Sequence, residues 1–319
     1  MSTDFLEHLY WALTDEEQHQ KTGLDLGELY ERTPAVKRAD YAFKERLADF
    51  QQQDASKAEK LDNCHVASCW AYEQQGFING FRLGMKLAEE LDLMLHIHLS
   101  ESAGEVEQCR SLHGDRRPVA YARDMGLLNE RTVLAHMVDV TDEELELVAS
   151  SGAAIAHNPV SNLKLASGFA RVRDMVRAGI SVSLGTDGAC SNNSLDMFET
   201  MKLAAILAKG CSGDATAVPA VQALNMATAE GARIFRTPGL GTLAPGAPAD
   251  MIALDMDEPN LCPIFNEASH AVYAASGKDC VFTMVEGNIL YDHGTYTDGL
   301  YADTAAEMRD LVEWVKGKE

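Results

Sequence analysis

The chain has 319 residues, and its 27 Lys or Arg against 49 Asp or Glu leave a formal charge of −22 at pH 7. That balance supplies no positive field for phosphate backbones or anionic lipid, so neither nucleic acid nor a membrane surface is expected as a partner. With 46% hydrophobic and 24% charged residues, the composition is that of a folded globular chain rather than a disordered one, long enough for about two domains.

The start, Met1–Tyr10, carries Asp4, Glu7 and His8 instead of a basic and then apolar stretch. Apolar runs are broken by charge well short of the ~18 residues a spanning helix needs, so the expected location is the cytoplasm. The seven cysteines lack the density of a disulfide framework and contain no Cys-x-x-Cys pair, which reads as reduced, mostly packed thiols.

From about Glu28 to Asn63 the chain is rich in Ala, Glu, Lys, Gln and Arg, with Tyr41, Phe43, Leu47 and Phe50 mostly at helical spacing. Residues 1–80 are therefore expected to be mainly helical. After Phe81 short apolar segments alternate with amphipathic ones. Leu93–Leu99, Val133–His136, Ala153–His157 and Ile180–Asp187 read as strands, with helices between them.

One helix start is well marked. Thr141-Asp142-Glu143-Glu144 has the form of a capping box, Val140 and Leu145 can staple it, and Gly152 suits its left-handed end. Further helices are expected over Ala170–Ala178 and from Asn193 or Ser194 to Gly210. Four alternations of strand and helix predict βαβ units on a parallel sheet over residues 81–235. From 236 to 295 the texture turns to Gly, Pro and short alternating segments, at Met251–Leu254 and Val281–Val285, predicting a small β-rich region. A last helix, from about Asp303 to Lys316, is expected within 296–319.

Four of the expected strand ends are polar: His96-Ile97-His98 with Glu101, then His136, then His157, then Asp187. Parallel strands of a barrel present catalytic groups from their carboxyl ends, so these side chains can converge on one mouth. Residues i and i+2 of a strand face the same way, which puts His96 and His98 on one side. Imidazoles with a carboxylate suit zinc, and Glu101 lies near enough in sequence to act on an activated water. Each residue alone has a plainer reading: His96 as a histidine hydrogen-bonded to backbone, Asp187 as a turn residue, His157-Asn158-Pro159 as a strand end that Pro159 stops. The ordered conjunction is what points to a site.

These segments, His96-Ile97-His98-Leu99-Ser100-Glu101, Leu134-Ala135-His136, Ala156-His157-Asn158-Pro159-Val160-Ser161-Asn162-Leu163-Lys164-Leu165 and Gly185-Thr186-Asp187-Gly188-Ala189-Cys190-Ser191-Asn192-Asn193, resemble the amidohydrolase superfamily. Within it they are most similar to the methylthioadenosine/S-adenosylhomocysteine deaminase group. The resemblance runs from about residue 82 to 296 and includes Ala249-Asp250-Met251-Ile252 and Val272-Tyr273-Ala274-Ala275-Ser276-Gly277.

It implies an α/β fold, a metal-dependent TIM-type (β/α)8 barrel with a small composite β domain, and hydrolytic deamination of an adenosine-type purine nucleoside with one divalent metal, zinc or alternatively iron. By motif, His98 and Asp187 resemble metal ligands and Glu101, His136 and Asp187 the catalytic groups. Glu101 would bind the ring and protonate its nitrogen, His136 would polarise the attacking water, and Ser191 resembles a substrate-contacting serine. His65, in Asn63-Cys64-His65-Val66, is similar to the family's substrate-binding histidine, on a spacing to His98 several residues too long.

The family's first-strand His-x-His pair has no counterpart, since the one His-x-His here is His96 to His98. A βα unit takes roughly 30 residues, so eighty residues do not supply four, and the barrel is expected to be incomplete at its N-terminal side. An uncovered sheet edge predicts self-association into a homo-oligomer. Hydrolytic zinc sites usually have three protein ligands, which leaves His96 and His136 as candidates to complete the set. Two other readings compete: a related ring amidohydrolase or chlorohydrolase, and a non-catalytic truncated relative.

Overall fold

The computed structural model describes residues 92–297 and 299–316, within a compact unit that runs from Asp92 to Glu319. The helical stretch expected before residue 80, and His65 with it, lie outside the described residues.

Strands β1 (Leu95–Leu99), β2 (Thr132–His136), β3 (Ala154–His157) and β4 (Val182–Leu184) form one sheet in that order. Every neighbouring pair is parallel, as the alternation of strands and helices requires. β2 and β3 are buried along their whole length. Strands covered on both faces need apolar residues on both, and this is why Val133-Leu134-Ala135 and Ala154-Ile155-Ala156 are unbroken apolar runs.

Helices α1 (Ala103–Leu112) and α2 (Pro118–Asp124) follow β1, and α3 (Asp142–Ser151) follows β2. The capping box of α3 is formed as expected: Glu144 N–H donates to Thr141 Oγ1 at 3.2 Å and Thr141 N–H to Glu144 Oε2 at 3.0 Å. Gly152 ends the helix at φ 77°. The same Glu144 carboxylate accepts Arg117 Nε at 2.8 Å. Arg117 Nη2 in turn donates to both the carbonyl and Oδ1 of Asp139, each at 2.8 Å. The loop leaving β2 is thereby tied to α2 and α3.

After β3 come α4 (Pro159–Lys164) and α5 (Val172–Arg177). After β4 come α6 (Ala189–Asn192), α7 (Met197–Ser212), α8 (Ala220–Met226) and α9 (Ala229–Ile234). Asp196 caps α7 through a 2.8 Å bond from Phe198 N–H, two or three residues later than the expected start.

A second sheet, wholly antiparallel, orders β5 (Met251–Leu254), β6 (Cys280–Val285), β7 (Asn288–Asp292) and β8 (Thr295–Tyr296), with α10 (Glu267–Tyr273) between β5 and β6. Glu286 and Gly287, at φ 50° and 79°, make the tight turn from β6 to β7, for which two positive φ values match the strand twist. Helix α11 (Leu300–Lys316) closes the described chain. No helix among the described residues is long and apolar enough to cross a membrane.

Two departures matter for the site. Pro159 does stop β3, but it also starts α4, because a missing N–H costs nothing at the first helical position. And β4 is shorter than expected. Its last sheet contact is the 3.0 Å bond from Gly185 N–H to the His157 carbonyl, after which Asp187 enters the left-handed region at φ 61° and the chain leaves the sheet.

The backbone at Gly185 passes so close to Asn158 that a Cβ there would stand 2.3 Å from Asn158 Oδ1. Gly185→Ala is expected to destabilise the fold by about 2 kcal/mol, the usual cost of overpacking, measured as a lowered urea midpoint at unchanged slope. A second expectation concerns His157, whose side chain is buried at the end of β3 and whose imidazole pKa is pushed down to about 4, by burial first and by His136 second. An unfolded imidazole, near 6.5, binds a proton in the window down to about 4 that the folded one refuses, so stability falls with falling pH there. Between about pH 7 and about pH 5 the loss from this residue is about 2 kcal/mol, and His157→Gln should remove that part of the pH dependence of the urea midpoint.

Candidate active site

The parallel register aligns the strand ends. Leu99 pairs with His136, and His157 with Leu184, so His98, His136 and His157 reach one rim of the sheet, and Asp187 comes three residues beyond β4. Short main-chain bonds lock the first two exits together: Met137 N–H donates to the Leu99 carbonyl at 3.2 Å, and Val138 and Asp139 N–H to that of Ser100 at 2.9 and 3.0 Å. Glu105, in the first turn of α1, accepts from Ser100 N–H at 3.0 Å and from Glu101 N–H at 2.6 Å. That grip holds the segment carrying Glu101.

At the rim, the rings of His98 and His136 stack with centroids 5.2 Å apart and planes 28° from parallel. His136 Nε2 lies 3.9 Å from Glu101 Oε2 and 4.0 Å from Asp187 Oδ2. This nitrogen is buried and has no hydrogen-bond partner among the described residues, while Nδ1 is 2.7 Å from Asn162 Oδ1. Ser100, His136, Met137 and Asp187 all take positive φ, from 50° to 75°. For side chains other than glycine this conformation costs roughly 1–2 kcal/mol per residue, and its concentration at one rim is the pattern of a site held in place by its surroundings.

Each acidic group has a hydroxyl partner. Ser161 donates to Asp187 Oδ2 at 2.6 Å, and Gly188 N–H to Oδ1 at 2.8 Å. Partial burial raises the Asp187 carboxyl, but the bonds from Ser161, Gly188 and Ser191, with the nearby His136 ring, hold it below the usual carboxylate range. Ser167 donates to Glu101 Oε1 at 3.2 Å. His96 is placed elsewhere, with its ring edge-on to Phe235 at 6.1 Å. Its pKa is lowered by burial, then by His98 and His136.

His98, His136 and Asp187 bring one ligand atom apiece within 4.8 Å of one another. Two imidazoles and an ionised carboxylate, one of them offering a buried and unpartnered nitrogen, are a donor set suited to a divalent ion such as zinc. The residues present therefore fit a metal.

Of the expected site residues, His98, Glu101, His136 and Asp187 meet at one place, and Ser191 lies beside Asp187. Three supporting side chains carried no assigned role in the sequence: Ser161, Asn162 and Ser167. The first two had a signal, as a polar pair inside the Ala156–Leu165 motif, and both side chains are buried, with relative exposures of 0% and 1%.

The sequence profile described as Amidohydrolase family matches residues 31–290, beginning earlier than the motifs alone indicated. A 5-methylthioadenosine/S-adenosylhomocysteine deaminase of Nitratidesulfovibrio vulgaris is 53% identical over 232 residues, covering 73% of this chain and 52% of that protein. The chain thus spans about half the length of the curated relatives it matches. A zinc-bound adenosine deaminase structure from Xanthomonas campestris superposes with TM-score 0.73 at 34% identity, covering 75% of this chain and 55% of that one. A zinc complex of atrazine chlorohydrolase from Arthrobacter aurescens gives 0.64 at 27%, over 69% and 50%. The fold class is that of the TIM-barrel amidohydrolases, of which the described residues contribute four parallel strands and a small antiparallel sheet. With its strand-end histidines and aspartate so arranged, the chain belongs to the amidohydrolase family.

Proposed function

We propose that this site hydrolytically deaminates an adenosine-type purine nucleoside with the help of one divalent metal, zinc being the expected ion. The observation that carries the reading is the meeting of His98, His136 and Asp187 beside Glu101 at the rim of the parallel sheet. The purine substrate class is supported by 53% identity to a 5-methylthioadenosine/S-adenosylhomocysteine deaminase and 45% identity to a 5'-deoxyadenosine deaminase.

His98 and Asp187 are the proposed ligands, with His136 the third donor in reach. A divalent ion held there supplies the Lewis acidity that makes water nucleophilic near neutral pH. His136 Nε2, without another partner among the described residues, accepts a hydrogen bond from the attacking water and aims its oxygen at the ring carbon bearing the amino group. One water proton passes through Glu101 to the adjacent ring nitrogen, which makes that carbon more electrophilic. The second passes through Asp187 to the amino group as the carbon–nitrogen bond breaks. Ammonia leaves and a ring carbonyl remains, so one water is consumed and all protons are accounted for.

The hydroxyl of Ser167 on Glu101 and of Ser161 on Asp187 hold both proton carriers in place for these transfers. Ser191, beside Asp187, is the proposed substrate contact. His65, outside the described residues, is a proposed substrate histidine on sequence resemblance alone.

The full chain, purified without chelator and supplied with zinc, should release ammonia from adenosine, methylthioadenosine or S-adenosylhomocysteine and not from guanine, cytosine or triazines. Glu101→Gln should lower kcat by about 10²–10⁴-fold, the usual share of a general acid–base group. Chelation should abolish turnover and added zinc restore it. Ammonia from a triazine amine, or chloride from a chlorotriazine, would move the assignment to a ring hydrolase of another class, and no product from any of these overturns it.

A further inference from the structure

Helix α4 reaches two catalytic groups from two different strands. Ser161 bonds Asp187, and the next residue, Asn162, bonds His136. The helix starts at Asn158, whose carbonyl accepts its first helical bond from Asn162 N–H at 3.0 Å. On its far side Lys164 Nζ reaches the Cys190 carbonyl at 2.8 Å and Asn193 Oδ1. Asn162 therefore meets His136 from a short helix that Ser161 and Lys164 tie to the segment following β4.

The two nitrogens of His136 have unequal surroundings. Nδ1 has an acceptor at 2.7 Å in Asn162 Oδ1. Nε2 faces Glu101 Oε2 at 3.9 Å and Asp187 Oδ2 at 4.0 Å, both too far to accept a hydrogen bond. A neutral imidazole carries one hydrogen, and at a site this buried the hydrogen resides where it is satisfied.

We propose that Asn162 is a positioning residue that holds His136 as the Nδ1–H tautomer, directing the bare Nε2 lone pair at the space between Glu101 and Asp187. Its role in turnover rests on the deaminase reading; the tautomer itself rests on the geometry. An unprotonated Nε2 can accept a hydrogen bond from water or give its lone pair to a cation, whereas the opposite tautomer presents a hydrogen to the same point, which repels a cation and can only donate to water. Asn162 thus sets what the centre of the site can bind without touching it.

The test is nitrogen NMR on the full chain labelled with 15N-histidine, above the titration range of imidazole, with the His136 signals identified by their loss in His136→Gln. The expected spectrum has Nδ1 protonated and Nε2 bare. Asn162→Leu, which removes the acceptor at nearly constant size, should abolish that preference and lower kcat by about 10–100-fold, the size usual for groups that orient a site's ligands, with KM little changed. Asn162→Asp, which keeps an acceptor oxygen, should retain the tautomer and most of the activity.

A protonated Nε2 in the unaltered chain overturns the inference, as does an unchanged tautomer in Asn162→Leu. If Asn162→Leu does not fold, Asn162→Asp decides alone, since loss of the Nδ1–H form there is equally fatal. An unaltered chain with the expected tautomer and no deamination supports this inference and sinks the deaminase reading.

Discussion

Parallel hydrogen bonding in fixed register is the constraint on which the site depends. Pairing Leu99 with His136 and His157 with Leu184 delivers three imidazoles to one rim, although 59 residues of chain separate His98 from His157. Side chains alternate along a strand, so a slip of one residue in β1 would turn His98 to the opposite face and present Leu99 in its place. Unbroken apolar burial of β2 and β3 makes such a slip costly. The packing that stabilises the sheet and the geometry that assembles the site are therefore one requirement.

Against that rigid sheet, groups of the candidate site sit where the chain departs from regularity. Ser100, His136, Met137 and Asp187 are left-handed, and each lies at or just past a strand end. The backbone there turns away from the sheet, and main-chain bonds from Met137, Val138 and Asp139 back to Leu99 and Ser100 hold it there. The Arg117 link to Asp139 and Glu144 braces the same loop from outside. Beside these turns, burial keeps His157 unprotonated while hydrogen bonds keep Asp187 ionised.

Much of this was legible in the residues. Apolar runs marked all four parallel strands, Thr141 and Glu144 marked the start of α3, and polar residues at strand ends marked His98, Glu101, His136 and Asp187. The path of the chain beyond each strand was less legible. Pro159 signals a stop, but the same proline is a good first helical residue, and nothing local distinguishes a stopped strand from a new helix. The expected strand through Asp187 failed for a related reason: Ser183 and Leu184 continue the sheet, while Gly185 is squeezed against Asn158, a contact between segments 27 residues apart. Ser161 and Asn162 stood inside the Ala156–Leu165 motif with no role assigned, and Ser167 was visible only as an ordinary polar residue.

What the sequence by itself determined is therefore the set of elements, their alternation, the family, and the chemical kinds of group at the strand ends, because these derive from hydrophobic period, capping chemistry and short motifs read locally. Only the tertiary structure decided which groups meet. His96 and His98 share a strand and a face, yet packing sends one ring to Phe235 and the other against His136. The hydrogen bonds from Ser161 to Asp187 and between His136 and Asn162 each span 26 residues. Contacts of that separation arise from how strands and helices stack, and no local pattern encodes them.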